Sequence, residues 1–141
     1  MYKKILLTTD GSGYANQEID RVTNLISDDG EILVVSVAGK LPSSAFQSRK
    51  NIKRVNEGML KEAEENVERM VAKFDDDVNV RGIVKTGFPA ETINQIADEE
   101  GVELIVISSS GKSGLHKFII GSVAEKVLKT ADIDVLLVRN R

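Results

Sequence analysis

Short apolar runs alternate along the chain with stretches in which apolar residues recur at helical spacing. Four of the runs are continuously apolar and consist of Ile, Leu and Val, at residues 5–7, 32–35, 104–107 and 135–138. Continuous apolar runs are typical of parallel strands that are covered on both faces. We predict five strands, at residues 2–9, 31–37, 78–84, 104–108 and 134–139. Polar residues interrupt the third strand, so we expect it at an edge of the sheet.

Four helices are predicted between these strands. The first covers residues 14–26, and a much longer second helix runs between residues 52 and 74, each with apolar residues along one face. Pro89 suits the first turn of the third helix, and Gly101 is placed to end it. Ser122 is a suitable N-cap for the fourth helix. This alternation predicts an α/β fold, a doubly wound parallel sheet with helices on both faces.

Length and composition fit one ordinary globular domain. The chain has 141 residues, of which 41% are hydrophobic and 29% are charged, so we expect a single domain over residues 1–141. No apolar run reaches the length needed to cross a bilayer, and the first residues lack the pattern of a signal peptide. We therefore expect a cytoplasmic protein that does not associate with membranes.

The composition also excludes several kinds of chemistry. The chain has no cysteine and one histidine, which excludes disulfides and thiolate catalysis and argues against a zinc or copper site. Any bound divalent ion would need oxygen ligands. The net charge is −3 and the basic residues are spread along the chain, which argues against nucleic acid as a partner.

The loop after the fourth predicted strand has the most informative sequence among those at the carboxyl ends of the strands, where open parallel sheets bind their ligands. It runs from Ser108 through Gly111 to Ser122 and then enters a helix. Small residues let backbone amides approach an anion closely, and a helix N-terminus attracts one. Lys112 and Lys117 add positive charge. Taken by themselves, these residues are explained about equally well by a phosphate site and by an ordinary turn.

Two glycine motifs do not qualify as nucleotide fingerprints. Residues 111–113, Gly-Lys-Ser, resemble the end of a P-loop, but Val106 stands where that motif requires a glycine. Gly11 and Gly13 follow the first strand, but Asn16 stands at the third glycine of a dinucleotide fingerprint. Neither motif identifies a ligand.

Asp10 directly follows the first predicted strand. Its carboxylate has two interpretations that the sequence leaves open, a contact to ribose or adenine and a cap of the following helix. No Ser-His-Asp, Cys-His or paired-carboxylate constellation can be assembled from the loops. We therefore do not predict dedicated hydrolytic chemistry.

The order and spacing of these features resemble the universal stress proteins over essentially the whole chain. The resemblance rests on residues 3–7 leading to Thr9-Asp10-Gly11-Ser12, Gly87-Phe88-Pro89 before the third helix, residues 103–107, and Gly111 followed after nine residues by Gly121-Ser122. It implies a five-stranded parallel sheet in the order 3-2-1-4-5, of the adenine nucleotide alpha hydrolase-like type. It also implies a homodimer formed through the last strand.

The resemblance further implies a site for ATP, accompanied by Mg²⁺. Asp10 matches the acidic residue that contacts the nucleoside, and Val37 matches the residue whose backbone meets adenine. The phosphate contacts that it implies are Gly111, Lys112, Ser113, Gly121 and Ser122. We expect an ATP-binding stress-response switch rather than a fast enzyme. The alternatives are slow ATP hydrolysis and a dimeric interaction module that binds no nucleotide.

One residue departs from the pattern of the nucleotide-binding members. Ser108 stands where they have the first glycine of the phosphate motif. If that glycine serves only close packing, a serine is tolerated there. If it supplies a positive φ, serine costs on the order of 1 kcal/mol and distorts the loop. The sequence leaves both interpretations open.

Overall fold

The computed structural model describes residues 1–11, 15–39, 49–109 and 120–139, which form five strands and four helices. The strands are β1 (Tyr2–Thr8), β2 (Ile26–Ala38), β3 (Val80–Thr86), β4 (Leu104–Ser108) and β5 (Asp134–Val138). The helices are α1 (Ala15–Leu25), α2 (Arg49–Val71), α3 (Pro89–Glu100) and α4 (Ser122–Thr130). None of the helices in these ranges combines the length and the apolarity needed to cross a membrane.

The strands form one parallel sheet in the order β3-β2-β1-β4-β5. β1 lies at the centre, where Leu6 pairs with Leu33 on one side and with Ile105 on the other. The predicted order and the edge location of β3 are confirmed. The strand order reverses between β1 and β4, so the carboxyl ends of these two strands flank the crevice in which open sheets bind ligands.

Helices cover both faces of the sheet. Leu6, Leu33 and Ile105 pack against α3 and α4, whereas Leu7 and Val106 pack on the opposite face with residues of α1 and α2. All five side chains are fully buried. Because successive strand residues point to opposite faces, a strand covered on both sides has no place for polar residues. Truncation of one such leucine to alanine costs about 2–5 kcal/mol.

β2 begins earlier than the sequence predicts. Helical spacing assigns Ile26 to the last turn of α1, but α1 ends at Leu25 and Ile26 pairs with Tyr2 of β1. The register between the strands then shifts before Lys4. A methyl group at Gly30 would lie 2.7 Å from the side chain of Ile26, so glycine allows the irregular start of β2 to pack closely on itself.

The structure agrees with the sequence prediction at both ends of α3 and differs from it at the start of α4. α3 follows the prediction, since Pro89 is its first residue and Gly101 ends it with a left-handed φ of 69°. α4 differs, because Gly121 is the N-cap and Ser122 is the first helical residue. No side chain caps α4, so the Ser122 hydroxyl is not engaged in the role that the sequence predicts.

Candidate functional site

A cavity of about 290 Å³ opens at the carboxyl edge of the sheet. It lies beyond the ends of β1 and β4, the crevice that the strand order predicts. Its lining comes from the β1 end, α1, β2, α3, β4 and the start of α4: Thr8, Thr9, Asp10, Glu18, Val35, Val37, Pro89, Ile93, Ile107, Ser108, Gly121, Ser122, Val123 and Ala124. The lining combines an apolar part with hydroxyl and carboxyl groups, as is usual for a small-molecule site.

Four of the predicted site residues meet in this cavity. Asp10 and Val37 come from the ends of neighbouring strands, and Gly121 and Ser122 come from the start of α4. More than eighty residues of sequence separate the first pair from the second, and the parallel sheet brings the two pairs together. The other predicted contacts, Gly111, Lys112 and Ser113, lie outside the described residues.

The end of β1 determines which backbone groups of β2 have no partner in that strand and lie at the cavity. The N–H of Thr9 donates to the carbonyl oxygen of Val35 at 2.9 Å, past the last residue of β1. In a parallel strand, residues two apart direct their backbone groups to the same side. The N–H and C=O of Val37 therefore point toward β1 but lie beyond its end, at the wall of the cavity.

The turn after β1 holds Asp10 at the mouth of the same cavity. Gly11, directly after it, has a φ of 83°, a left-handed conformation that favours glycine. The N–H of Gly11 lies 3.3 Å from the side-chain oxygen of Thr9, to which it donates. This local geometry ends the strand and directs residue 10 to the carboxyl edge of the sheet.

The start of α4 is anchored to the sheet. The N–H of Gly121 donates to the carbonyl oxygen of Ser109 at 2.7 Å, and the N–H of Ser109 donates to that of Val138 in β5 at 2.8 Å. The first N–H groups of a helix have no partner within the helix and carry a partial positive charge. Because Ser122 and Val123 line the cavity, this end of α4 is suited to an anion.

Ser108 ends β4 and lines the cavity. It pairs with Val138 in the regular β4–β5 register. No non-glycine residue in the described ranges has a positive φ, so the backbone of Ser108 does not require glycine. Serine therefore does not strain the backbone at residue 108. This excludes the interpretation in which a positive φ is needed at this residue.

The cavity also contains a carboxyl group that the sequence analysis missed, that of Glu18 in α1. Only 3% of its surface is exposed. Burial, and to a smaller extent the negative charge of Asp10, raise the pKa of Glu18 from 4.5 to about 8. The signal in the sequence is the spacing to Val22, four residues later, which puts Glu18 on the apolar face of α1.

Metal chemistry is limited by the side chains available. In the described parts of the chain, no three His, Cys, Asp or Glu side chains are grouped so as to hold a metal ion. Mg²⁺ commonly keeps several waters and binds through one or two carboxylates together with the phosphates of a nucleotide. Any Mg²⁺ at this site would therefore need ligands besides the described side chains, such as the phosphates of a nucleotide.

The model of the universal stress protein family matches residues 1–139. The chain belongs to this family. Universal stress protein MJ0531 of Methanocaldococcus jannaschii is 30% identical to it, over 99% of this chain and 83% of that protein. Universal stress protein MJ0577 of the same organism is 31% identical, over 100% of this chain and 97% of that protein. The resemblance drawn from the motifs is confirmed.

Solved structures of universal stress proteins share the fold described above. The structure of MJ0577 matches with a TM-score of 0.85 and 29% identity, covering 100% of this chain and 98% of that one. The universal stress protein of Archaeoglobus fulgidus in complex with dAMP matches with a TM-score of 0.66 and 21% identity, over 98% of both chains. The five-stranded sheet and its order are those of the family.

Proposed function

We propose that this universal stress protein binds ATP in the cavity at the carboxyl edge of the sheet and acts as a nucleotide-responsive switch. The observation that carries the proposal is the convergence of Asp10, Val37, Gly121 and Ser122 on one cavity. The A. fulgidus relative in complex with dAMP supports an adenine nucleotide as the ligand class.

The adenosine part of ATP suits the strand side of the cavity. Val35, Ile93 and Ile107 provide an apolar surface for the base. The backbone N–H and C=O of Val37 match the acceptor and donor that lie next to each other on the edge of adenine. Asp10 is placed at the end of β1 to accept hydrogen bonds from the ribose hydroxyls.

The phosphates suit the α4 side of the cavity. Gly121 and Ser122 stand at a helix N-terminus, where unpaired N–H groups and the helix dipole favour an anion. The spacing of the family motif adds Gly111, Lys112 and Ser113 as further phosphate contacts. Mg²⁺ would be bound through phosphate oxygens and water. We assign no residue to the activation of water, and a switch therefore fits this site better than a fast ATPase.

A second candidate function is that of a dimeric interaction module without nucleotide. The observation that favours it is Ser108, which lines the cavity at the residue where nucleotide-binding members have glycine. Serine adds a side chain that glycine lacks at this residue, although its backbone is unstrained. The two functions differ in a single measurable property, the affinity of the native protein for ATP.

The proposal includes a homodimer formed through β5, and a cytoplasmic location. β5 lies at an edge of the sheet, and Val135, Leu136 and Leu137 are only partly buried. An edge strand presents unpaired backbone groups that a second copy can satisfy. Light scattering at several concentrations measures the mass directly, and a monomer at every concentration would exclude this part of the proposal.

The first experiment is a calorimetric titration of nucleotide-stripped protein with ATP and Mg²⁺, alongside AMP. We expect micromolar affinity for ATP and weaker affinity for AMP, because AMP lacks the phosphates that reach α4. Absence of heat with both nucleotides would favour the interaction module. Inorganic phosphate released on long incubation, and lost in Ser122→Ala, would establish slow hydrolysis.

A pair of serine variants tests the assigned contact. We expect Ser122→Ala to weaken ATP binding by about 10- to 100-fold, since a hydrogen bond to a charged group contributes about 1.5–3 kcal/mol. Ser27→Ala is the matched control, because Ser27 lies at the start of β2, at the opposite edge of the sheet, where it bonds Asp29. Equal affinity in both variants would remove Ser122 from the site.

A further inference from the structure

Glu18 is a buried carboxyl group that the proposed nucleotide contacts leave unexplained. It projects from α1 into the cavity with 3% of its surface exposed. Within the described residues, no hydrogen bond or ion pair stabilises its charged form. An ionised carboxylate without such a partner is strongly disfavoured away from water. Burial therefore favours the neutral carboxylic acid form of Glu18 at neutral pH.

The groups that face Glu18 also disfavour its ionised form. Asp10, at the end of β1, is the other ionisable side chain of the described lining, and its negative charge opposes ionisation of Glu18. The parts of β2, β4, α3 and α4 that line the cavity are apolar or carry hydroxyl groups. The titratable residues Lys112, His116 and Lys117 belong to the segment outside the described ranges.

The protonation state of Glu18 decides what it can do with a nucleotide. A protonated carboxyl offers an O–H donor, whereas a carboxylate only accepts hydrogen bonds. ATP brings several negative charges and many acceptor oxygens into the cavity. A neutral Glu18 can donate to one of those oxygens, but an ionised Glu18 would repel them at short range in a poorly solvated site.

We propose that Glu18 contacts the bound nucleotide as a neutral hydrogen-bond donor, so that ATP binding requires its proton and weakens when the proton is lost. This inference rests on the proposed ATP site and adds a proton to it as a second ligand. Coupling of this kind is reciprocal, so bound ATP holds the proton on Glu18 more tightly. The affinity for ATP then falls as the pH rises above the point at which the free protein loses that proton.

The sign of the coupling gives a specific pH profile. Below about pH 7 the free protein and the complex both hold the proton, and Glu18 adds no pH dependence to binding. Above about pH 8 the free protein loses the proton while the complex retains it, so the affinity falls by up to about tenfold per pH unit. Titration of the ATP phosphates belongs mainly to the range below this window.

The test compares ATP affinity by calorimetry between about pH 6.5 and about pH 9.5 in three proteins. They are the native protein, Glu18→Gln, which keeps a neutral donor of the same shape, and Glu64→Gln, which removes one negative charge on an exposed part of α2. We expect the native protein and Glu64→Gln to lose affinity in parallel above about pH 8, and Glu18→Gln to lose much less. Native and Glu18→Gln profiles that fall together would overturn the inference.

Two other outcomes of these titrations distinguish a failure of this inference from a failure of the proposed ATP binding. If neither the native protein nor Glu18→Gln binds ATP at any pH, the proposed function fails and the inference falls with it. If ATP binds with a pH-independent affinity, the proposed function stands and only the role of Glu18 is excluded.

Carbon-13 NMR of the glutamate carboxyls tests the coupling without any variant. The Glu18 titration should move to higher pH on addition of ATP, and an unmoved or lowered midpoint contradicts the proposal.

Discussion

Asn66 of α2 packs so closely against Gly11 that a methyl group at residue 11 would lie 2.6 Å from the Oδ1 atom of Asn66. Asn66 is buried, and its Oδ1 accepts a hydrogen bond from the guanidinium of Arg69. This contact joins a long helix to the turn that carries Asp10. The shape of the candidate ATP site therefore depends on a helix that contributes no residue to the lining of that cavity.

We expect Gly11→Ala to lower the free energy of unfolding by about 2–5 kcal/mol, because a left-handed alanine costs about 1–2 kcal/mol and overpacking adds about 1–3 kcal/mol. ATP affinity should fall in the same variant, since Asp10 is displaced with the turn. Urea unfolding and calorimetry measure the two effects. A loss below about 0.5 kcal/mol would show that the turn accommodates a side chain.

Gly101→Ala is the matched control for the packing part of that prediction. Gly101 also has a left-handed φ, of 69°, but a methyl group there would meet no atom within 4 Å. We expect a loss of about 1–2 kcal/mol from the conformation alone and no change in ATP affinity. If both variants lose the same stability, contact with Asn66 contributes nothing at residue 11.

Gly58 provides a prediction of opposite sign. It lies exposed in the interior of α2, where an added methyl group meets no atom within 4 Å and the φ is ordinary. Gly58→Ala should raise the free energy of unfolding by about 0.4–1 kcal/mol, because alanine reduces the entropy of the unfolded chain and favours the helix. Thermal and urea unfolding check this value, and destabilisation would show that residue 58 is not in an unstrained helix.

Glu18→Gln should stabilise the protein by an amount that grows with pH. The pKa of Glu18 rises from 4.5 to about 8 on folding, so between these values the unfolded chain loses a proton that the folded protein keeps. The contribution of this proton to stability is full below about pH 4.5 and is lost as the pH rises through about 8. Glutamine does not titrate, so its advantage reaches on the order of 3 kcal/mol at pH 7.

Urea unfolding of the native protein and of Glu18→Gln at several pH values between about 4 and about 8 measures this difference. Glu64→Gln controls for the loss of a negative charge, and its difference from the native protein should stay nearly constant. A difference for Glu18→Gln that does not change with pH would mean that the carboxyl is solvated. It would also remove the physical basis for the role in ATP binding that we propose for Glu18.

The strands were predictable where burial on both faces of the sheet requires apolar residues. β4 matches the predicted bounds and β1 differs by one residue, because the part of each strand that is covered on both faces is a continuous apolar run. The start of β2 was not predictable. Ile26 continues the helical spacing of α1, and only its pairing with Tyr2, which is distant in sequence, turns it into a strand residue. Local periodicity carries no information about such a partner.

The candidate site was predictable to the extent that it follows from strand ends and glycine spacing. Asp10, Val37, Gly121 and Ser122 reach one cavity because parallel strands bring their carboxyl ends to the same edge. Glu18 was missed because the face of α1 was assigned from apolar residues alone, and a buried charge on that face contradicts the usual rule. A glutamate four residues before Val22 is the detail that could have revealed it.

Ser108→Gly separates the two proposed functions. The backbone of Ser108 needs no glycine, so glycine gives no conformational advantage and weakens β4 by about 0.5–1 kcal/mol. The ATP affinities of the native protein and the variant should therefore agree within about tenfold, a difference of about 1.4 kcal/mol. Calorimetry with ATP and Mg²⁺ measures both affinities and distinguishes the two functions. Micromolar binding by Ser108→Gly together with none by the native protein would mean that the serine side chain blocks the cavity, and the interaction module would then be the function of the native chain.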